Sequence, residues 1–162
     1  SLPQAVQPVQ PLTTTVRFDA SAVQKALAAL DGHQALRAAT GATHAAGWAQ
    51  ADGQLVLVRE DVGRHNALDK LLGALLHAGW VAGEGFVVIT SRASYEMVSK
   101  SARAGVALVA AVSGVTGLAI DVAQQAGVAL AGFARGQDLT LYANAHRIHW
   151  ETLEDIAWGP IP

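Results

Sequence analysis

The chain has 162 residues, 51% of them hydrophobic and 15% charged, with a formal net charge of −2. That size and apolar content fit one domain with a sizeable core, and the lack of a basic block leaves no electrostatic footprint for duplex nucleic acid. Cysteine is absent, which excludes disulfides, thiolate metal sites and thiol nucleophiles within these residues. The uncharged stretch Ala104–Ile120 is broken by Ser113, Gly114, Thr116 and Gly117 and is shorter than the roughly 20 residues of a membrane span. No signal-peptide pattern opens the chain, so a cytoplasmic location is expected and no membrane partner. The first residue is serine, not methionine, which suggests a partial or processed chain.

Residues 1–15 hold three prolines and three glutamines and read as an extended lead-in that stays off the core, with the lead-in region taken to residue 20. A helix is expected from Ser21, with Val23, Ala26, Leu27 and Leu30 on one face. The polar turn 40–44 follows, then a hairpin with arms Ala45–Ala49 and Gln54–Arg59 joined through Ala51-Asp52-Gly53. A second helix spans about His65–Ala78, where Leu68, Leu71, Leu72 and Leu75 recur at helical spacing and Gly79 supplies the stop. Beyond residue 85, the apolar runs Phe86–Thr90, Val106–Val112 and Val128–Phe133 alternate with helical patterns at Tyr95–Ala104 and Leu118–Ala126. Strands apolar on both faces that alternate with helices predict parallel βαβ units. Leu139–Tyr142 adds a further strand, and the domain closes near residue 148. The tail from Ile148, with Trp150 and Trp158, is expected to dock as a short helix.

Ligands of open α/β sheets bind outside the carboxyl ends of the strands. Three loops occupy those ends: Thr90–Ser94, Ser113–Thr116 and Ala134–Gln137. They supply hydroxyls, glycine and arginine, and two of them enter helix N-termini, whose free N–H groups attract anions. A phosphate-bearing ligand, such as a nucleotide, fits this set. The alternative for each loop alone is that its Ser or Thr only caps a helix. With no Walker motif and no G-x-G-x-x-G, the residues by themselves leave the ligand class open.

A second cluster, Glu60-Asp61-Val62-Gly63-Arg64-His65-Asn66 with Asp69 and Lys70, packs acid, base and imidazole into a turn that opens a helix. His65 is as well suited to capping or hydrogen bonding as to chemistry. A metal set of His44, His65 and Asp61 has no supporting spacing. Met97 reads as core filling, and the four tryptophans are too scattered for a stacking platform.

The segments TGATHAA (40–46), EDVGRHNALDK (60–70), SRASYEMVSKSARAG (91–105) and GFARG (132–136) appear in this order, and over residues 1–148 the chain resembles the FdhD/NarQ family. The resemblance implies a three-layer α/β/α sandwich with a mixed, largely parallel sheet, like that of cytidine deaminase. It also implies a cytoplasmic, commonly homodimeric accessory protein for formate dehydrogenase maturation. Such proteins take sulfur as a persulfide from a cysteine desulfurase. They pass it to the molybdenum or tungsten bis-guanine-dinucleotide cofactor, which then enters the formate dehydrogenase apoprotein. The family's cofactor-binding stretch falls on Phe133, Ala134, Arg135, Gly136, Gln137 and Asp138. A guanine dinucleotide would also occupy Ser91, Arg92, Ser94, Ser113 and Thr116, with Arg64 and His65 beside them.

Two departures from the family pattern stand out. The family's sulfur-carrying C-x-x-C lies just upstream of a segment resembling Ser1-Leu2, so the catalytic cysteine is expected outside this chain. Many relatives also have a proline before the arginine of the segment Ala143–Arg147, which leaves the shape of that loop open. Two rival readings remain: a nucleotide- or cofactor-binding module without sulfur chemistry, and a zinc deaminase. Deaminase chemistry needs H-x-E and P-C-x-x-C, and here His44-Ala45-Ala46 lacks the glutamate while cysteine is absent.

Overall fold

The structure is a computed structural model and describes residues 9–37, 44–133 and 138–151. Its elements in chain order are β1 (Phe18–Asp19), α1 (Ala20–Arg37), β2 (His44–Gln50), β3 (Leu55–Asp61), α2 (Arg64–Ala78), β4 (Gly85–Ile89) and α3 (Tyr95–Arg103). They continue with β5 (Leu108–Ala111), α4 (Gly117–Ala126), β6 (Ala129–Phe133), β7 (Leu139–Ala143) and β8 (Ile148–His149). A six-stranded sheet runs β3-β2-β4-β5-β6-β7, and β1 and β8 form a separate two-stranded sheet.

Strand alternation divides the core into two layers of contact. Val87, Ile89, Val109, Ala111 and Leu130 belong to the cluster that contains Leu68 and Leu71 of α2, Met97 of α3 and Ala123 of α4. Phe86, Val88, Leu108, Ala110 and Ala131 belong to the opposite cluster, with Val23, Ala26, Leu27 and Leu30 of α1. Helices therefore cover both faces, and the expected three layers are present. All four apolar positions predicted for the first helix are fully buried in α1.

The sheet is mixed, as expected, but parallel pairing is confined to β4-β5-β6. The pairs β2–β3, β2–β4 and β6–β7 are antiparallel, which corrects the largely parallel sheet to one with a parallel centre. The cause is the hairpin: β2 enters the sheet beside β4, so both of its neighbours run against it. Its turn needs Gly53, which has φ +89° and whose backbone N–H donates to Gln50 O at 2.8 Å. Trp48, buried in this hairpin, donates from Nε1 to Ala82 O at 3.1 Å. A methyl at Gly85 would collide with its ring and with Ala49 O.

Two expectations about the ends are corrected. The lead-in does not stay off the core: Leu12 N–H donates to Ala126 O at 2.9 Å, Val9 and Leu12 pack on the core cluster of α2–α4, and α1 already begins at Ala20. At the other end Ile148–His149 form a strand and not the start of a helix, Ile148 pairing in parallel with Phe18, while residues 152–162, where the rest of the expected tail helix falls, lie outside the described residues. Arg147 explains both corrections. It is 3% exposed and donates from Nε to Gly127 O at 2.7 Å and from Nη1 to Thr14 O at 2.9 Å and Val16 O at 3.1 Å. Asn144, at φ +50°, donates to Ala123 O and Val128 O, both at 2.9 Å, and this defines the loop that the sequence left open. Trp158 lies outside the described residues.

Candidate functional site

Strands β3, β4, β5 and β6 run in one direction, since β2 opposes both β3 and β4. Their carboxyl ends therefore share one edge of the sheet. Arg64 and His65 begin the helix after β3, Ser91, Arg92 and Ser94 follow β4, and Ser113 and Thr116 follow β5. The structure thus brings these seven predicted residues to a common edge.

The β4 and β5 loops are tied together. Ala93 and Val115 form a parallel bridge, with Ala93 N–H donating to Gly114 O at 3.1 Å and Thr116 N–H donating to Ala93 O at 3.0 Å. The β5 end meets β6 closely as well, because a methyl at Gly132 would lie 3.0 Å from Ser113 O. Phe133 closes β6, Ala134–Gln137 lie outside the described residues, and Asp138 is exposed just before β7.

The hydroxyls on this edge have different tasks. Thr90 Oγ accepts from Ala45 N–H at 2.9 Å and so extends the β2–β4 ladder. Thr116 caps α4, its Oγ accepting from Ala119 N–H at 3.1 Å. Buried Ser91 donates to Arg92 O at 3.2 Å and touches Met97 Sδ at 3.8 Å. Ser94 stands at the N-cap of α3, yet its side chain makes no capping bond. Its Oγ, His44 Nδ1 and His65 Nδ1 are solvent-shielded and have no hydrogen-bond partner among the described residues.

Charges around α2 are largely matched. Asp61 accepts from Lys70 Nζ at 2.6 Å and from Gly63 N–H at 2.9 Å. The hydrogen bond from Lys70, then that from Gly63, lowers its pKa to about 2. Asp61 is thus engaged by an ammonium group, which argues against its serving a metal with His44 and His65. Asp69 accepts from Lys100 at 3.0 Å, and Glu96 Oε2 lies 3.7 Å from His65 Nδ1. Arg64 and Arg92 are exposed and add positive charge to the edge. At this edge the N–H groups that open α3 lack a side-chain cap from Ser94, two exposed arginines flank the strand ends, and three polar atoms are shielded from solvent. His44, weighed from the sequence only for a metal set with His65 and Asp61, is brought to this edge by its register opposite Asp61.

The sequence profile of the FdhD/NarQ family matches residues 1–149. The chain belongs to the FdhD/NarQ family. It is 51% identical over 148 residues to the sulfur carrier protein FdhD of Bordetella bronchiseptica, covering 91% of this chain and 54% of that protein. The sulfur carrier protein FdhD of Xanthomonas campestris pv. campestris strain B100 is 53% identical over 146 residues, covering 90% of this chain and 52% of that protein. The chain thus spans about half the length of these FdhD relatives. A crystal structure from Desulfotalea psychrophila, of a protein described as a formate dehydrogenase accessory protein, superposes with a TM-score of 0.78 at 26% identity. It covers 91% of this chain and 63% of that one, and supports the same mixed α/β fold with helices on both faces.

Proposed function

We propose that this chain supplies the cofactor-binding edge of an accessory protein for formate dehydrogenase maturation. In this reading the cargo is the molybdenum or tungsten bis-guanine-dinucleotide cofactor. The full-length protein would pass it sulfur taken from a cysteine desulfurase, for delivery to the formate dehydrogenase apoprotein, working as a homodimer in the cytoplasm. The observation that carries the cofactor half is the bridged pair of loops after β4 and β5, with shielded polar atoms beside them that lack a hydrogen-bond partner among the described residues. An anionic dinucleotide satisfies such groups, because buried donors and acceptors without partners are costly.

Isothermal titration with GDP as a surrogate tests this reading, and saturable binding is the expected result. Arg135→Ala should weaken it by about 1–3 kcal/mol, since a charge-assisted contact to phosphate is lost. No heat at millimolar GDP would count against the site, and an unchanged affinity would remove Arg135 from it. A second reading, a binding module without sulfur chemistry, is favoured by one observation: these 162 residues contain no cysteine.

A further inference from the structure

The end of the molecule opposite the strand-end edge carries exposed apolar side chains where α2 stops. Leu76, Trp80 and Val81 are 84%, 40% and 58% exposed. Gly79, at φ +77°, ends α2 between them. Trp80 stands against the buried Trp48 with ring centroids 5.1 Å apart, so its position is fixed while part of the ring meets water. Large apolar side chains exposed together in this way mark a contact surface.

The lead-in points to what covers them. Helices α2, α3 and α4 lie on one face of the sheet in that order, and each runs back from a strand's carboxyl end, so their C-terminal ends share the far edge. Leu12 lies at the end of α4, its N–H donating to Ala126 O at 2.9 Å. Val9 lies at the end of α3, in a groove it shares with Ala102, Arg103 and Gly105. Three residues thus carry the chain from one helix end to the next. Polyproline II geometry has this stride: it repeats every three residues and advances about 9 Å in doing so, while packed helices stand about 8–10 Å apart. Pro3, Pro8 and Pro11 favour it, each fixing its own φ and keeping the residue before it extended. The next helix end along this path is that of α2. It is close at hand, because a methyl at Gly83, two residues beyond Val81, would lie 3.1 Å from Gly105 O. The same stride, counted back from Leu12 and Val9, reaches Val6 and then Pro3.

We infer that residues 3–6 of this chain cover the C-terminal end of α2, with Val6 seated on Leu76, Trp80 and Val81. Residues 1–8 carry no charged side chain, so seating them desolvates no ionised side chain. A proline-bearing extended segment also suits an exposed tryptophan, as in the aromatic grooves that receive polyproline II peptides. The lead-in is then a strap across all three helix ends, and the apolar surface beside Trp80 is closed to other proteins while the strap is in place.

The test is an NMR measurement on the whole chain with carbon-13 valine methyls. Nuclear Overhauser cross-peaks are expected from the Val6 methyls to the Trp80 ring and to Leu76 or Val81. Val6→Asp should shift the Trp80 indole N–H resonance and increase acrylamide quenching of tryptophan fluorescence, with the core methyl resonances unmoved. Absence of the cross-peaks in the unaltered chain overturns the inference, and so does a Trp80 resonance that Val6→Asp leaves in place. A sample mixing labelled and unlabelled copies separates the occupants: cross-peaks between copies would show that a second chain covers the surface and would overturn a strap within one chain. Should Val6→Asp fail to fold, the cross-peaks of the unaltered chain decide.

Discussion

Thr116 is where a single side chain has a measurable structural duty. Its Oγ accepts from Ala119 N–H at 3.1 Å and satisfies one of the donors that a helix start leaves open. Thr116→Val keeps the shape and removes the acceptor, so stability should fall by about 1 kcal/mol. Chemical denaturation would show a lower midpoint with an unchanged slope, and no change would mean that the cap contributes nothing. Residues of this kind mark the limit of a sequence reading. Ser94 and Thr116 are both small hydroxyl residues before a helix, and only the folded geometry separates the one that caps from the one that does not. His44 is harder still, because its place at the edge depends on register with Asp61 across the hairpin.

At the scale of elements, the β3–α2 corner is held by Lys70 against Asp61. The lowered pKa of Asp61, about 2 against an ordinary 3.8, has a definite sign. The folded chain binds this proton less readily than the unfolded chain, so the contribution is complete above the ordinary value and is lost as pH falls through about 2. Lys70→Met removes the first cause of the shift. Its Asp61 should titrate nearer to 3.8, and the part of the acid destabilisation between about pH 4 and 2 that comes from Asp61 should shrink. Carboxyl-resolved NMR titration checks this, and an Asp61 pKa unmoved in the variant would refute it. The elements themselves were legible where periodicity is strong. The leucines of α2 and the doubly apolar β4, β5 and β6 declared their type, because burial on one stripe or on both faces selects the side chains. The pairing partner of β2 was not legible, since a hairpin pattern is the same whether it stands alone or joins a sheet. The short strands β1 and β8 were not legible either. Two-residue pairing carries no pattern, and the lead-in is held through backbone carbonyls that any residue can offer.

Across the whole molecule, Arg147 joins the two ends of the described chain. Its three carbonyl acceptors come from the lead-in and from the turn between α4 and β6, and no carboxylate bonds to it among the described residues. Burial pushes its guanidinium below the ordinary value, so the bonds to those carbonyls must offset desolvation. Arg147→Met keeps the aliphatic bulk but leaves the carbonyls unpaired, which should cost about 3 kcal/mol. For a domain of this size that is a fall in Tm of roughly 6–12 °C, with residues 9–17 opened to proteolysis. A Tm within a degree of the unaltered chain would show that water replaces the arginine without loss.

The same scale separates binding a cofactor from carrying sulfur. A persulfide forms on a cysteine sulfur, with the thiolate as the reactive species, and this chain of 162 residues has no cysteine. The proposed cofactor edge needs none, since the groups it would offer an oxyanion are backbone N–H, hydroxyl, imidazole and guanidinium. The two activities should therefore come apart in this chain. Incubated with a cysteine desulfurase and isotopically labelled cysteine, it should gain no protein-bound sulfur by intact-mass analysis, while still binding GDP by calorimetry. A mass gain of one sulfur atom would break the argument, because it would require a sulfur acceptor other than cysteine. Sulfur-free binding would instead place the carrier function in residues beyond these, consistent with a chain that spans about half of its FdhD relatives.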